Sequence, residues 1–169
     1  MMENDMGIVR GRSTVGSSNL HMQFTPKYRR DVYRSDKVIE TCKRAFGEMA
    51  NRLGVKIHAC EFGPDHCHLF LGNCMKYSVP YIAQMFKGYS SWVVRRECMI
   101  EIKEKLWGKS FWSDGYFHEY IGRFTNDAMK YYIERQQDRH WRDEDYDYKR
   151  YLEEQREGIN DETSLAKFM

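Results

Sequence analysis

His66-Cys67-His68 sets two imidazoles two residues apart in a segment, His66 to Gly72 (HCHLFLG), that reads as a β-strand. Residues i and i+2 of a strand share a face with Cα atoms about 6.6 Å apart, a span that two imidazoles can close onto one ion. Cys67 points the other way, toward a core shared with Leu69 and Leu71. The plainer alternative is two histidines on a solvated strand face. A second reactive set lies in Lys130-Tyr131-Tyr132-Ile133-Glu134-Arg135-Gln136, read as helix. Tyr132 and Gln136 are four residues apart and so share a face, about 6 Å apart along the axis; Tyr131 and Arg135 share a neighbouring one. A phenol with a pKa of about 10 is a poor nucleophile at neutral pH and needs deprotonation or a strongly polarised target. A divalent ion on two histidines and an oxygen ligand would polarise a phosphodiester. Tyrosine attack would then displace a 3′-hydroxyl and leave a 5′-phosphotyrosine, whose reversal rejoins strands without a nucleotide cofactor. Imidazole with an amide oxygen and water suits Mg²⁺ or Mn²⁺; imidazole alone does not exclude Zn²⁺.

The elements that must hold these groups follow from periodicity. Asn19 to Thr25 (NLHMQFT) alternates as a half-buried strand and stops at Pro26. A helix capped by Ser35 runs to about Leu53, with Val38, Cys42, Ala45, Phe46, Met49 and Leu53 on one stripe and Gly54 at its C-terminal cap. Val55 to Phe62 alternates, with Val55, Ile57 and Ala59 on one face and Lys56, His58 and Cys60 on the other. Gly63-Pro64-Asp65 turns it into the histidine strand. Ser78 and Pro80 open a second helix to about Glu97, with Ile82, Met85, Phe86, Tyr89, Trp92 and Val93 facing inward. Phe111-Trp112, a turn, and Tyr116 to Ile121 read as strand, turn, strand, and Thr125 starts a last helix to about His140. The order β-α-β-β-α-β-α predicts an α+β fold, a ferredoxin-like or RNA-recognition-like sandwich with an antiparallel sheet and helices on one face. Residues 1–18 read as a flexible tail, 19–140 as the catalytic domain and 141–169 as an acidic tail.

Composition agrees with one folded domain. The 169 residues are 41% hydrophobic, 31% charged and 15% aromatic, and the high aromatic share argues against a disordered chain. No apolar run approaches the roughly 20 residues of a membrane span, so no membrane partner is expected. The N-terminus has two early acids and no apolar stretch of signal type. Five cysteines without a CxxC pair point to reduced thiols and a cytoplasmic setting. The net charge of +2 divides into +6 over residues 1–137 and −4 over 138–169, a basic body suited to a polyanion.

Five segments in order, HMQFTPKYRRDVY, GPDHCHLFLG, MFKGYSSWVVRRE, LWGKSFWSDGYFHEYIG and YYIERQ, give the chain from about Asn19 to Gln137 a resemblance. It resembles the small single-tyrosine HUH transposases (TnpA-type) of bacterial and archaeal insertion sequences, which move DNA as single strands. The resemblance implies metal ligands at His66 and His68, the nucleophile at Tyr132 and an amide ligand at Gln136. It also implies a homodimer in which each tyrosine helix can complete the partner's site, and DNA hairpins at the element ends as substrate. The doubled tyrosine leaves Tyr131 as a rival, though only Tyr132 has the four-residue spacing to Gln136.

For DNA contacts the sequence offers Lys27, Arg29 and Arg30 to phosphates, Tyr28 to an unpaired base, and Lys87. Trp92 and Trp112 are expected in the core. His21, His58 and His118 fall in strands as outsiders for ligation, and His140 on the surface. Two further readings stand beside the transposase: a domesticated repeat-hairpin nuclease or a replication-initiator or relaxase nickase, and, in another class, a non-catalytic nucleic-acid-binding module with stacking aromatics on its sheet.

Overall fold

The computed structural model describes residues 8–106 and 108–122. The chain divides into two units, Met1–Asp127 and Ala128–Met169, and every described residue belongs to the first. Strands β1 (Ile8–Arg10) and β2 (Val15–Ser17) pair antiparallel as a small separate hairpin. It lies inside the segment read from sequence as a flexible tail, and a Gly11 N–H donating to the Thr14 carbonyl at 2.7 Å closes its turn.

The main sheet holds β3 (Asn19–Phe24), β4 (Lys56–Phe62), β5 (Cys67–Gly72) and β6 (Phe117–Ile121) in the order β4-β5-β3-β6, each neighbouring pair antiparallel. Helices α1 (Asp36–Leu53) and α2 (Val79–Glu97), the short α3 (Met99–Ile102) and two 3-10 turns at Lys27–Arg29 and Val32–Arg34 complete the described part. This is the expected α+β sandwich as far as β6; the last helix, expected from Thr125, lies outside the described residues. Alternation explains the core. Leu20, Met22 and Phe24 of β3 and Cys67, Leu69 and Leu71 of β5 have no exposed surface, and they join one apolar cluster with α1 and α2.

Local chemistry sets the helix limits. Gly54 ends α1 at φ +67°, a left-handed cap that a β-carbon disfavours, and its N–H reaches the carbonyls of Ala50 and Asn51. Ser78 caps α2 by accepting from the Tyr81 N–H, with Pro80 in the first turn. All six residues of the expected α1 stripe are buried.

Three expectations needed correction. The even alternation of β4 breaks at a bulge between Ile57 and Ala59, so Cys60 and Phe62, rather than Ala59, pack with Ile57 against the core. Trp92 is 55% exposed, not buried. The buried stripe of α2 runs through Ile82, Ala83, Phe86, Ser90, Val93 and Val94, and the Trp112 indole occupies the space over it, donating to Ser90 Oγ at 2.9 Å. Trp92 instead lies against the Arg96 guanidinium, 4.2 Å from the ring centre. Finally, Phe111-Trp112 forms no full strand: Trp112 makes a single bridge to Pro26, flanked by bonds from the Lys27 and Ser113 N–H groups to Phe111 and Thr25 carbonyls.

Candidate metal-binding and catalytic site

Bending at Gly63-Pro64-Asp65 brings β5 back beside β4, and the Gly63 N–H donates to the His66 carbonyl at 2.9 Å to close the hairpin. His66 stands just before β5 and His68 within it. Their rings are 5.0 Å apart between centroids and nearly perpendicular, at 83°. Both are buried, 3% and 2% exposed, so the solvated-face alternative does not hold. The face opposite the apolar core is therefore also a closed environment, in which a polar ring needs defined partners.

Those partners occupy the Nδ1 atoms. His66 Nδ1 lies 2.8 Å from Asp65 Oδ1, while the other carboxylate oxygen of Asp65 accepts from Arg29 at 3.1 Å. The bond to His66, helped by the Arg29 charge and opposed by burial, holds the Asp65 carboxyl below its usual range. A carboxylate can only accept, so His66 donates through Nδ1–H and its lone pair sits on the buried Nε2. A carboxylate behind the far nitrogen of a ligating histidine is the usual support of a metal ligand. Gly63 seats the same ring: a β-carbon on it would stand 2.8 Å from Nδ1 and Nε2 of His66 and closer still to Cε1. His68 Nδ1 lies 2.9 Å from Nε2 of His21, and His21 Nδ1 lies 3.2 Å from Glu119 Oε1. Strand register makes this possible: His21 faces Phe70 and Glu119 across its two neighbours, so His68 is one diagonal step away.

Two buried imidazoles whose far nitrogens are engaged form a donor set that fits a divalent ion. Among the described residues no group of three His, Cys, Asp or Glu side chains could hold an ion. A full ligand set thus needs a further donor, and Gln136, expected in that role, lies outside the described residues with Tyr132 and Tyr131.

The residues offered for DNA contact are differently placed. Tyr28 is 56% exposed and, like Arg29, adopts a left-handed backbone, at φ 59° and 50°. Two such residues in succession are strained by about 1–2 kcal/mol each. Arg29 braces Asp65, Lys27 pairs with Asp114 at 3.4 Å, and Arg30 is exposed. Lys87 is used inside the fold: its ammonium donates to the carbonyls of Ser113, Asp114 and Gly115 at 2.7, 2.9 and 3.3 Å. Burial pushes its pKa down. His118 is exposed and His58 sits at the β4 bulge. Sequence reasoning did not find Asp65, Gly63 or Glu119, and set His21 aside. The available signals were the Asp-His adjacency and the odd spacing of His21 from Leu20, Met22 and Phe24, which puts it on the opposite face of the strand.

Residues 14–136 match the family described as "Transposase IS200 like". The chain is 30% identical over 132 residues to the ISDra2 transposase TnpA of Deinococcus radiodurans, covering 77% of this chain and 91% of that protein. It is 31% identical over 121 residues to the transposase for insertion sequence element IS200 of Salmonella typhimurium, covering 68% and 76%. The crystal structure of a candidate transposase from Deinococcus radiodurans R1 superposes with a TM-score of 0.60 at 27% identity, covering 76% of this chain and 97% of that one.

Proposed function

The chain belongs to the IS200-like transposase family, and from that premise we propose that it cuts and rejoins single-stranded DNA at hairpin-marked ends, using Tyr132 as nucleophile at a site built on His66, His68 and Gln136. The observation that carries the reading is the buried pair of imidazoles of His66 and His68, 5.0 Å apart between centroids, with Asp65 bonded to Nδ1 of the first. A divalent ion, Mg²⁺ or Mn²⁺, would supply Lewis acidity toward the scissile phosphate there. The phenol of Tyr132 loses its proton and its oxygen bonds to phosphorus; the bond from phosphorus to the 3′-oxygen breaks, and that oxygen leaves as a 3′-hydroxyl after taking a proton. The 5′-phosphotyrosine keeps the ester, so attack by another 3′-hydroxyl restores a phosphodiester and the phenol. Gln136 fits as a neutral oxygen donor four residues from the nucleophile, and a homodimer would let one subunit's tyrosine serve its own or the partner's histidines.

A binding-only module of RNA-recognition type would display exposed aromatics on its sheet. In this sheet Phe70, on the histidine face, is 1% exposed and stacked on His21. That weighs against it.

Incubation of the full chain with a hairpin-bearing single strand and Mn²⁺ should yield a covalent adduct that peptide mapping places on Tyr132. Tyr132→Phe should abolish it, and His66→Ala should lower its rate by more than the roughly 10–100-fold that loss of an outer partner of a metal ligand costs. An undiminished adduct in Tyr132→Phe would remove Tyr132 from the role; full rate in EDTA would remove the ion.

A further inference from the structure

We propose that His21 and Glu119 are positioning residues: together they order the protons so that His68 presents its Nε2 lone pair to the ion. The inference rests on the metal reading above and goes beyond it, because it assigns a role to two side chains that act through His68.

Glu119 is a carboxylate, an acceptor only, and its Oε1 lies 3.2 Å from His21 Nδ1. His21 therefore donates from Nδ1, and in the proposed proton order its Nε2 carries the lone pair. That Nε2 is 2.9 Å from His68 Nδ1, so His68 must donate there. Its own lone pair is then confined to Nε2, on the buried side of the ring. The direction of this order is set 98 residues away in sequence from His21, on β6. His66 receives the same instruction from Asp65 in a single step. The two ligands are thus ordered by two carboxylates from opposite sides of the sheet's centre, one directly and one through an imidazole.

Packing favours the same geometry. His21 has no exposed surface, and its ring stacks on Phe70 at 4.6 Å and 8°. That stack fixes the plane of the ring, leaving tautomer as its remaining freedom. A purely structural histidine would need the stack but not the proton order, which makes the two roles separable. His21→Phe keeps a flat ring against Phe70 and removes both nitrogens. Glu119→Gln keeps the shape but adds an amide donor that can reverse the chain of bonds; its side chain is 40% exposed, so the fold should tolerate it.

Mn²⁺ affinity of the full-length protein, read by electron paramagnetic resonance without DNA, is expected to fall 10–100-fold in His21→Phe and about tenfold in Glu119→Gln, the range seen for such support. Wild-type affinity in both variants would overturn the proposal. If His21→Phe fails to fold, Glu119→Gln alone decides. Nitrogen-15 spectra of the metal-free wild type should show His68 protonated at Nδ1; protonation at Nε2 would overturn the proposal without reference to any ion. Failure of the metal reading is distinct: His68→Ala would then bind Mn²⁺ as the wild type does.

Discussion

Leu20, Met22 and Phe24 alternate along β3 with His21, and all four are fully buried. The two faces they supply are nevertheless held in different ways. On the helix side, attraction is non-directional: Phe46 of α1 meets Phe24, Phe86 and Trp112 with ring centroids 6.3, 5.9 and 6.1 Å apart, and any side chain that fills the space serves. On the other face each ring has a defined partner at a defined atom, from Asp65 to His66 and from Glu119 through His21 to His68. Equal burial therefore hides unequal tolerance. The apolar face governs whether the sheet forms, and the histidine face governs what it can bind once formed.

The largest effect that would test this division is Phe46→Ala. Removing a fully buried ring from that aromatic cluster should cost about 3–5 kcal/mol, read as a lower urea midpoint. Mn²⁺ affinity per folded molecule should stay at the wild-type value. A matching fall in affinity would show that the two faces are coupled and break the comparison.

Gly63→Ala makes the converse test on the histidine face. The added methyl must displace the His66 ring from its seat and from Asp65. Mn²⁺ affinity should drop about 10–100-fold, while the urea midpoint moves far less than in Phe46→Ala. Unchanged affinity would mean that the Asp65 contact does not set the ligand.

How far each face could be read from the sequence follows the same divide. The apolar face was legible because period-2 and period-3.6 patterns report burial directly: the α1 stripe, β3 and β5 all fell where their spacing put them. It failed where tertiary packing overrode period. Trp92 lost its place to Trp112, which arrives from a loop, and a single extra residue at His58 reversed the faces of β4. On the other face, His66 and His68 were legible as a local motif. Their supports were not, because Glu119 meets His21 only through strand pairing between β3 and β6, which no local spacing announces. Asp65 was written beside His66 all along, yet nothing local said that its carboxylate would turn back onto the ring.

The smallest effect concerns protons on the apolar face. Burial raises the pKa of the Cys60 thiol to about 12 and of Cys74 to about 11, and pushes Cys42 and Cys67 up as well. A raised folded-state pKa means that the folded chain keeps a proton the unfolded chain has lost. Below pH 9 both states hold it and stability is unaffected; as pH rises through 9 the unfolded state is favoured, until the folded pKa is reached. Each such thiol should cost roughly 1 kcal/mol by pH 10. Lys87 works in the opposite direction, since burial lowers its pKa and stability gains as pH rises toward 10.5. Comparing wild type with Cys60→Ala removes that contribution, which both share. The urea midpoints of the two proteins should converge between pH 8 and pH 10, because the variant has lost one of the groups that must ionise. Parallel pH profiles would show that Cys60 ionises as readily in the folded sheet as in the open chain, and that this face is wetter than its packing implies.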